Sequence, residues 1–164
     1  MMIEMKVFGL AVDENSQVPV LVLKDLEEKA ILPIWIGAME AMAISLALNE
    51  VKLPRPMTHD LMLSCIDTAG AKVTAVEVVK LEEGTYYAEV EMRIGEVQRR
   101  VDARPSDAIA LALRAEAPIR VAQAVLDEAS VDDTALGKPV LKDEESDKWT
   151  EMLEGFSPGD KYKM

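Results

Sequence analysis

With 164 residues and 49% apolar side chains, the chain is long enough for one domain with a real core, and needs no disulfide or metal staple to fold. A net charge of −12 argues against broad electrostatic attraction to nucleic acid or anionic membrane. The single cysteine, Cys65, excludes an intramolecular disulfide and points to a reducing, cytoplasmic compartment; with one histidine beside it, a zinc site of the usual His/Cys type cannot be built from one chain.

The N-terminus, MMIEMKVFGL, has an acid at Glu4 and no basic run, so it does not read as a signal peptide. Met2 to Val12 reads as a strand, Asp13-Glu14-Asn15-Ser16 as a polar turn, and Val18 to Leu23 as a second strand. Ala30 to Ile36 gives a third, with Pro33 suggesting an edge position or a bulge. Gly37 then opens a helix ending near Asn49. Ile31 to Leu48 holds 18 residues and one charge, Glu40, which is near the length of a membrane span. Pro33, Gly37 and Glu40 interrupt it, so it reads as a buried strand running into a buried helix. Glu40 fits a cap on its own helix start better than a catalytic acid.

Val51 to Pro56 is a connector. Thr58 is placed to cap the next helix, whose Leu61, Met62, Cys65, Ile66 and Ala69 follow the spacing of one apolar face, with Cys65 as inert core. Gly70 ends it. Lys72 to Leu81 is a strand, and Glu82-Glu83-Gly84 turns into Thr85 to Ile94, which alternates apolar and polar residues. Gly95-Glu96 leads to Val97 to Val101. A helix over Ser106 to Glu116 is stopped by Pro118, and a strand at Ile119 to Val121 and a helix at Ala122 to Ala129 follow.

The order βββαα-βββαβα predicts a single α+β domain over residues 1–129, a mostly antiparallel sheet with helices packed on it. Each half passes from three strands through Arg-Pro into a helix, a pattern compatible with a degenerate duplication. From Ser130 the composition turns acidic and poor in aliphatics. Residues 130–164 are expected to form a loosely attached tail, with a short amphipathic helix within Glu144 to Leu153.

Charge is unevenly spread: −8 over Met1 to Met92, +2 over Arg93 to Arg120, and −6 beyond. The middle window holds six of the seven arginines and no lysine. A guanidinium fork suits phosphate, although surface pairing with the abundant acids would account for the arginines equally well. Within that window VDARPSDAIALALR starts a helix. Pro105 suits its first turn, and Ser106 or Asp107 suits its free backbone donors. Asp102 and Arg104 precede the helix and are not explained that way. The functional reading has Arg104 and the helix start bind a phosphate, with Asp102 or Asp107 available to a divalent metal or a water. RPMTHDL supplies the only histidine. There an exposed His59 would serve as general acid or base, with Asp60 orienting a partner or binding metal.

In the order LPIWIGAMEAMAISLAL, RPMTHDLMLSCI and DARPSDAIALALR, these blocks resemble the bifunctional nuclease family, whose bacterial and plant members carry a domain credited with DNase and RNase activity. The resemblance runs from about Ile3 to Ala129 and implies phosphodiester hydrolysis, without assigning a mechanism. Glu40, Arg55, His59, Asp60, Asp102, Arg104, Ser106 and Asp107 match it. On this reading Arg104, with Arg55, Arg99, Arg100 and Ser106, would hold the phosphate. His59 or a metal-bound water would supply the nucleophile, and Asp60, Asp102 and Asp107 would bind magnesium, manganese or calcium or orient water. Nucleic acid binding would be weak and salt-sensitive. The alternative is a non-catalytic oligomeric binding or regulatory module that takes a small anion through its Arg/Asp cluster. Ten methionines and long apolar runs suggest a homodimer or higher homo-oligomer.

Overall fold

The computed structural model describes residues 1–132, in which two three-stranded antiparallel units are joined by one short strand. β1 (Met2–Val12), β2 (Pro19–Asp25) and β3 (Ile31–Trp35) form one unit; β4 (Ala71–Glu82), β5 (Thr85–Ile94) and β6 (Val97–Ala103) form the other. β7 (Ile119–Ala122) lies between, antiparallel to β1 and parallel to β4, giving the order β3-β2-β1-β7-β4-β5-β6. The helices are α1 (Ala38–Leu48), α2 (Thr58–Thr68), α3 (Pro105–Ala115) and α4 (Gln123–Ala129). This is the expected α+β class and element order. The expected helix within residues 144–153 lies outside the described residues. Val131 donates its N–H to the Ile31 carbonyl at 2.8 Å, so the chain just past α4 is still stitched to β3.

Local chemistry explains the hairpins. Glu83 (φ 50°) and Gly84 (φ 76°) form a two-residue turn with both central residues left-handed, whose twist matches the flanking strands. Gly95 (φ 60°) opens the equally short turn between Ile94 and Val97. Pro33 is tolerated because β3 is an edge strand. The alternation of β5 decides its faces: Ala88 and Val90 enter the core, whereas Glu89 and Glu91 join Arg100 on the other side. α3 packs on β4 and β5 and against α1 and α2, burying Ala108, Ile109, Leu111 and Ala112. Each fully buried Leu or Ile contributes roughly 1.5–3 kcal/mol. The sheet curls enough for the Tyr86 hydroxyl on β5 to donate to the Pro33 carbonyl on β3 at 3.3 Å.

α2 is rotated relative to its sequence expectation. Leu61 is 55% exposed and Met62 38%, and Cys65 is exposed rather than core. His59 faces inward, with Leu63 and Ile66 packed against the core. Two overlapping stripes share the same helical spacing, so periodicity could not separate them. A buried polar contact of His59 chooses between them. Its N-cap is Met57 rather than Thr58, and the Asp60 carboxylate accepts the Met57 N–H at 2.8 Å.

Candidate active site

The chain leaves β6 at Ala103, stays extended at Arg104 (φ −70°, ψ 143°), and enters α3 through Pro105. Arg104 is therefore the N-cap, and the expected capping by Ser106 or Asp107 does not occur. Ser106 is buried, and Asp107 turns sideways. One carboxylate oxygen of Asp107 accepts Arg104 Nε at 2.8 Å, and the other meets His59 Nε2 at 3.0 Å. Arg104 Nη1 pairs with Glu40 Oε1 at 3.0 Å. Glu40 thus serves Arg104 rather than its own helix start, with its carboxylate folded over Gly37, where a Cβ would collide with it. The result is a continuous chain, Glu40–Arg104–Asp107–His59, drawn from the starts of α1, α3 and α2. His59 is buried in it, contrary to the exposed first-turn position expected, because its ring lies against Asp107.

A second set of contacts supports the first. Arg114, in the last turn of α3, donates to Asp60 Oδ1 at 2.7 Å, the Ala110 carbonyl at 2.8 Å and the Ala43 carbonyl at 3.0 Å. It fastens α1, α2 and α3 together one residue from His59.

Charge states follow from these contacts. Burial pushes the Asp107 carboxyl up, but hydrogen bonds from Arg104 and His59 outweigh it and hold the group below its ordinary 3.8. Asp107 and then Glu40 raise the Arg104 pKa. For Asp60, burial is again outweighed, by the Met57 N–H and Arg114. Arg104 remains 66% exposed and its Nη2 has no protein partner among the described residues, so a protonated guanidinium edge faces solvent beside the half-buried Asp107 and the buried His59.

Both Arg-Pro segments that build this cluster fall within residues 21–134, which match a family model described as the bifunctional nuclease domain. The chain belongs to that family. An uncharacterized protein of Mycobacterium tuberculosis is 39% identical over 161 residues, covering 96% of each chain. Bifunctional nuclease 2 of Oryza sativa subsp. japonica is 30% identical over 118 residues, or 69% of this chain and 36% of its own length. Bifunctional nuclease 1 of Arabidopsis thaliana is 32% identical over 108 residues, 63% of this chain and 33% of its own. The chain therefore spans about a third of these plant members.

The other candidates are dispersed. Arg55 is exposed in the connector before α2. Arg99 is exposed on β6, its only side-chain hydrogen bond among the described residues a 3.4 Å contact to the Gln98 carbonyl. Arg100 is enclosed by Glu77, Glu89 and Glu91 at 2.6–3.1 Å. It sits on the polar face of the sheet rather than in the cluster. Asp102 lies directly opposite Glu89 and makes no ion pair among the described residues. Arg114 was not singled out from the sequence; its signal was a lone charge ending the apolar run AIALAL.

A resident divalent ion does not fit this set of donors. Among the described residues, no group of three His, Cys, Asp or Glu side chains is placed to hold a metal ion. The Arg104 guanidinium occupies the place where Glu40 and Asp107 would have to meet an ion. No helix among the described residues is long and apolar enough to cross a membrane.

Acid should loosen this region. The carboxyls of Asp60 and Asp107 titrate below their unfolded value, so their stabilisation is complete above about pH 5 and is lost as pH falls through the folded values. Thermal melts of the wild type should decline below about pH 4, and the Asp60→Asn, Asp107→Asn double variant should show a shallower decline. An equally steep decline in both proteins would refute this assignment.

Proposed function

We propose that the chain hydrolyses phosphodiester bonds of nucleic acid at the Glu40–Arg104–Asp107–His59 cluster. The observation that carries this reading is Arg104. Its guanidinium is held by two carboxylates from different helices yet keeps an edge toward solvent, the arrangement a phosphate ligand needs. Fixing the guanidinium beforehand limits the ordering cost when a phosphate binds. Asp107 orients His59 through Nε2, which leaves Nδ1 as the nitrogen for proton exchange. One site acting on both DNA and RNA cannot use the substrate's 2′-hydroxyl as nucleophile, because DNA has none; we assign that role to water.

The family's name and the plant relatives support the nuclease class. The acidic net charge predicts weak, salt-sensitive substrate binding. A second reading, a non-catalytic oligomeric module that binds a small anion, is favoured by the same closure: Asp107 spends both oxygens on protein partners. Stringently purified protein assayed on DNA and RNA oligonucleotides, with and without EDTA, separates the two. We expect cleavage of both polymers that persists in EDTA and weakens steeply with salt. Phosphate binding without cleavage would select the module.

A further inference from the structure

Among the described residues β6 ends the sheet and pairs with β5 alone. Its two-residue turn makes Ile94 and Val97 a mutually hydrogen-bonded pair, so Val97, Arg99 and Val101 direct their backbone groups inward. Gln98, Arg100 and Asp102 direct theirs outward. Edge strands are normally blunted by a bulge, a proline, charged side chains or a covering segment. Among the described residues β6 has no bulge, proline or cover: its register with β5 is unbroken from Val97 to Ala103, and its charges, Arg99, Arg100 and Asp102, are of both signs. Val97 and Val101 are each 46% exposed. Asp102 faces Glu89, a like charge, with the Lys80 charge also acting on it, and among the described residues Arg99 has no side-chain hydrogen bond beyond its 3.4 Å contact.

We propose that β6 pairs antiparallel with β6 of a second copy about a two-fold axis at Val101, and that each copy lends Arg99 to the other's Arg104 site. A two-fold antiparallel pair sets residues of the same face opposite one another, so a central axis passes through Arg99, Arg100 or Val101. The first choice opposes Arg99 to itself and the second opposes Arg100 to itself; like charges directly opposite are destabilising. The third opposes Val101 to Val101 on one face. On the other it sets Arg100, which also pairs with Glu77, Glu89 and Glu91 of its own chain, against Asp102 of the second copy, twice. Charge complementarity therefore selects both the occupant and the register. In that register Arg99 stands opposite Ala103 of the second copy, the residue before Arg104, and on the same face as Ala103. An arginine with no ion pair among the described residues is thereby brought to the end of β6 from which Arg104 enters the site. The role of Arg99 rests on the hydrolytic reading above; the strand pairing does not.

The test begins without activity. In a Cys65→Ser background, Val101→Cys places two thiols in a non-hydrogen-bonded pair about 4.5 Å apart at Cα, within disulfide reach. Mild oxidation should give a covalent dimer, and Arg99→Cys should not cross-link. A monomer in sedimentation at tens of micromolar, or Arg99→Cys cross-linking as fast as Val101→Cys, overturns the pairing. Arg99→Ala and Arg104→Ala are then unfolded together and refolded. Random pairing makes about half the dimers mixed, each with one intact site, so recovery to about a quarter of the wild-type rate is expected. Proven mixed dimers without recovery, beside active wild type, overturn the lending of Arg99. Wild type inactive on every substrate fells the hydrolytic reading instead, and with it the role of Arg99, while the cross-linking result stands.

Discussion

Replacing Arg104 by alanine is expected to cut hydrolysis of DNA and RNA by about tenfold or more, since it removes the group that would carry developing phosphate charge. Asp107→Asn should do similar damage by another route. It takes away the carboxylate that fixes both Arg104 and the His59 ring. Stability distinguishes these effects from unfolding. The Arg104 side chain is 66% exposed, and exposed ion pairs contribute about 0–1 kcal/mol, so Arg104→Ala should melt close to wild type. Full activity in both folded variants would show the cluster to be a helix fastening and nothing more.

Arg114→Ala should behave in the opposite way, as a stability defect. Its side chain is 10% exposed and satisfies Asp60 and two helix carbonyls at once. Stranding a buried partner costs about 3–5 kcal/mol. Asp60 is 41% exposed and water can reach it, so we expect about 2–3 kcal/mol here, or a Tm drop of roughly 4–12 °C. Arg114→Lys should restore little, because an ammonium has one centre where three acceptors lie on different helices. A Tm within about 1 °C of wild type would refute the fastening role. The activity lost by this variant should return at low temperature, where it is folded, unlike that of Arg104→Ala.

Several elements were determined by sequence alone because their causes are local. Gly84 and Gly95 punctuate tight turns, the alternation from Tyr86 to Ile94 assigns two faces, and Pro105 marks a helix start. Pro33 pointed to an edge position or a bulge, and β3 is an edge strand. The two Arg-Pro segments were visible as helix starts rich in candidate chemistry, and Arg104, Asp107, His59 and Asp60 could be named from them.

The tertiary structure alone decided how those groups are joined. His59 and Asp107 are 48 residues apart and meet at 3.0 Å because α2 and α3 cross over the same sheet. That contact fixed the rotation of α2, which two equivalent apolar stripes had left open, and so exposed Leu61, Met62 and Cys65. Glu40 and Arg114 acquired their partners in the same way, and Arg100 was removed to the far face by strand register. Helical and strand periodicities are properties of neighbours in sequence. Which charge answers which across the core depends on how the elements pack, and no local pattern encodes that distance.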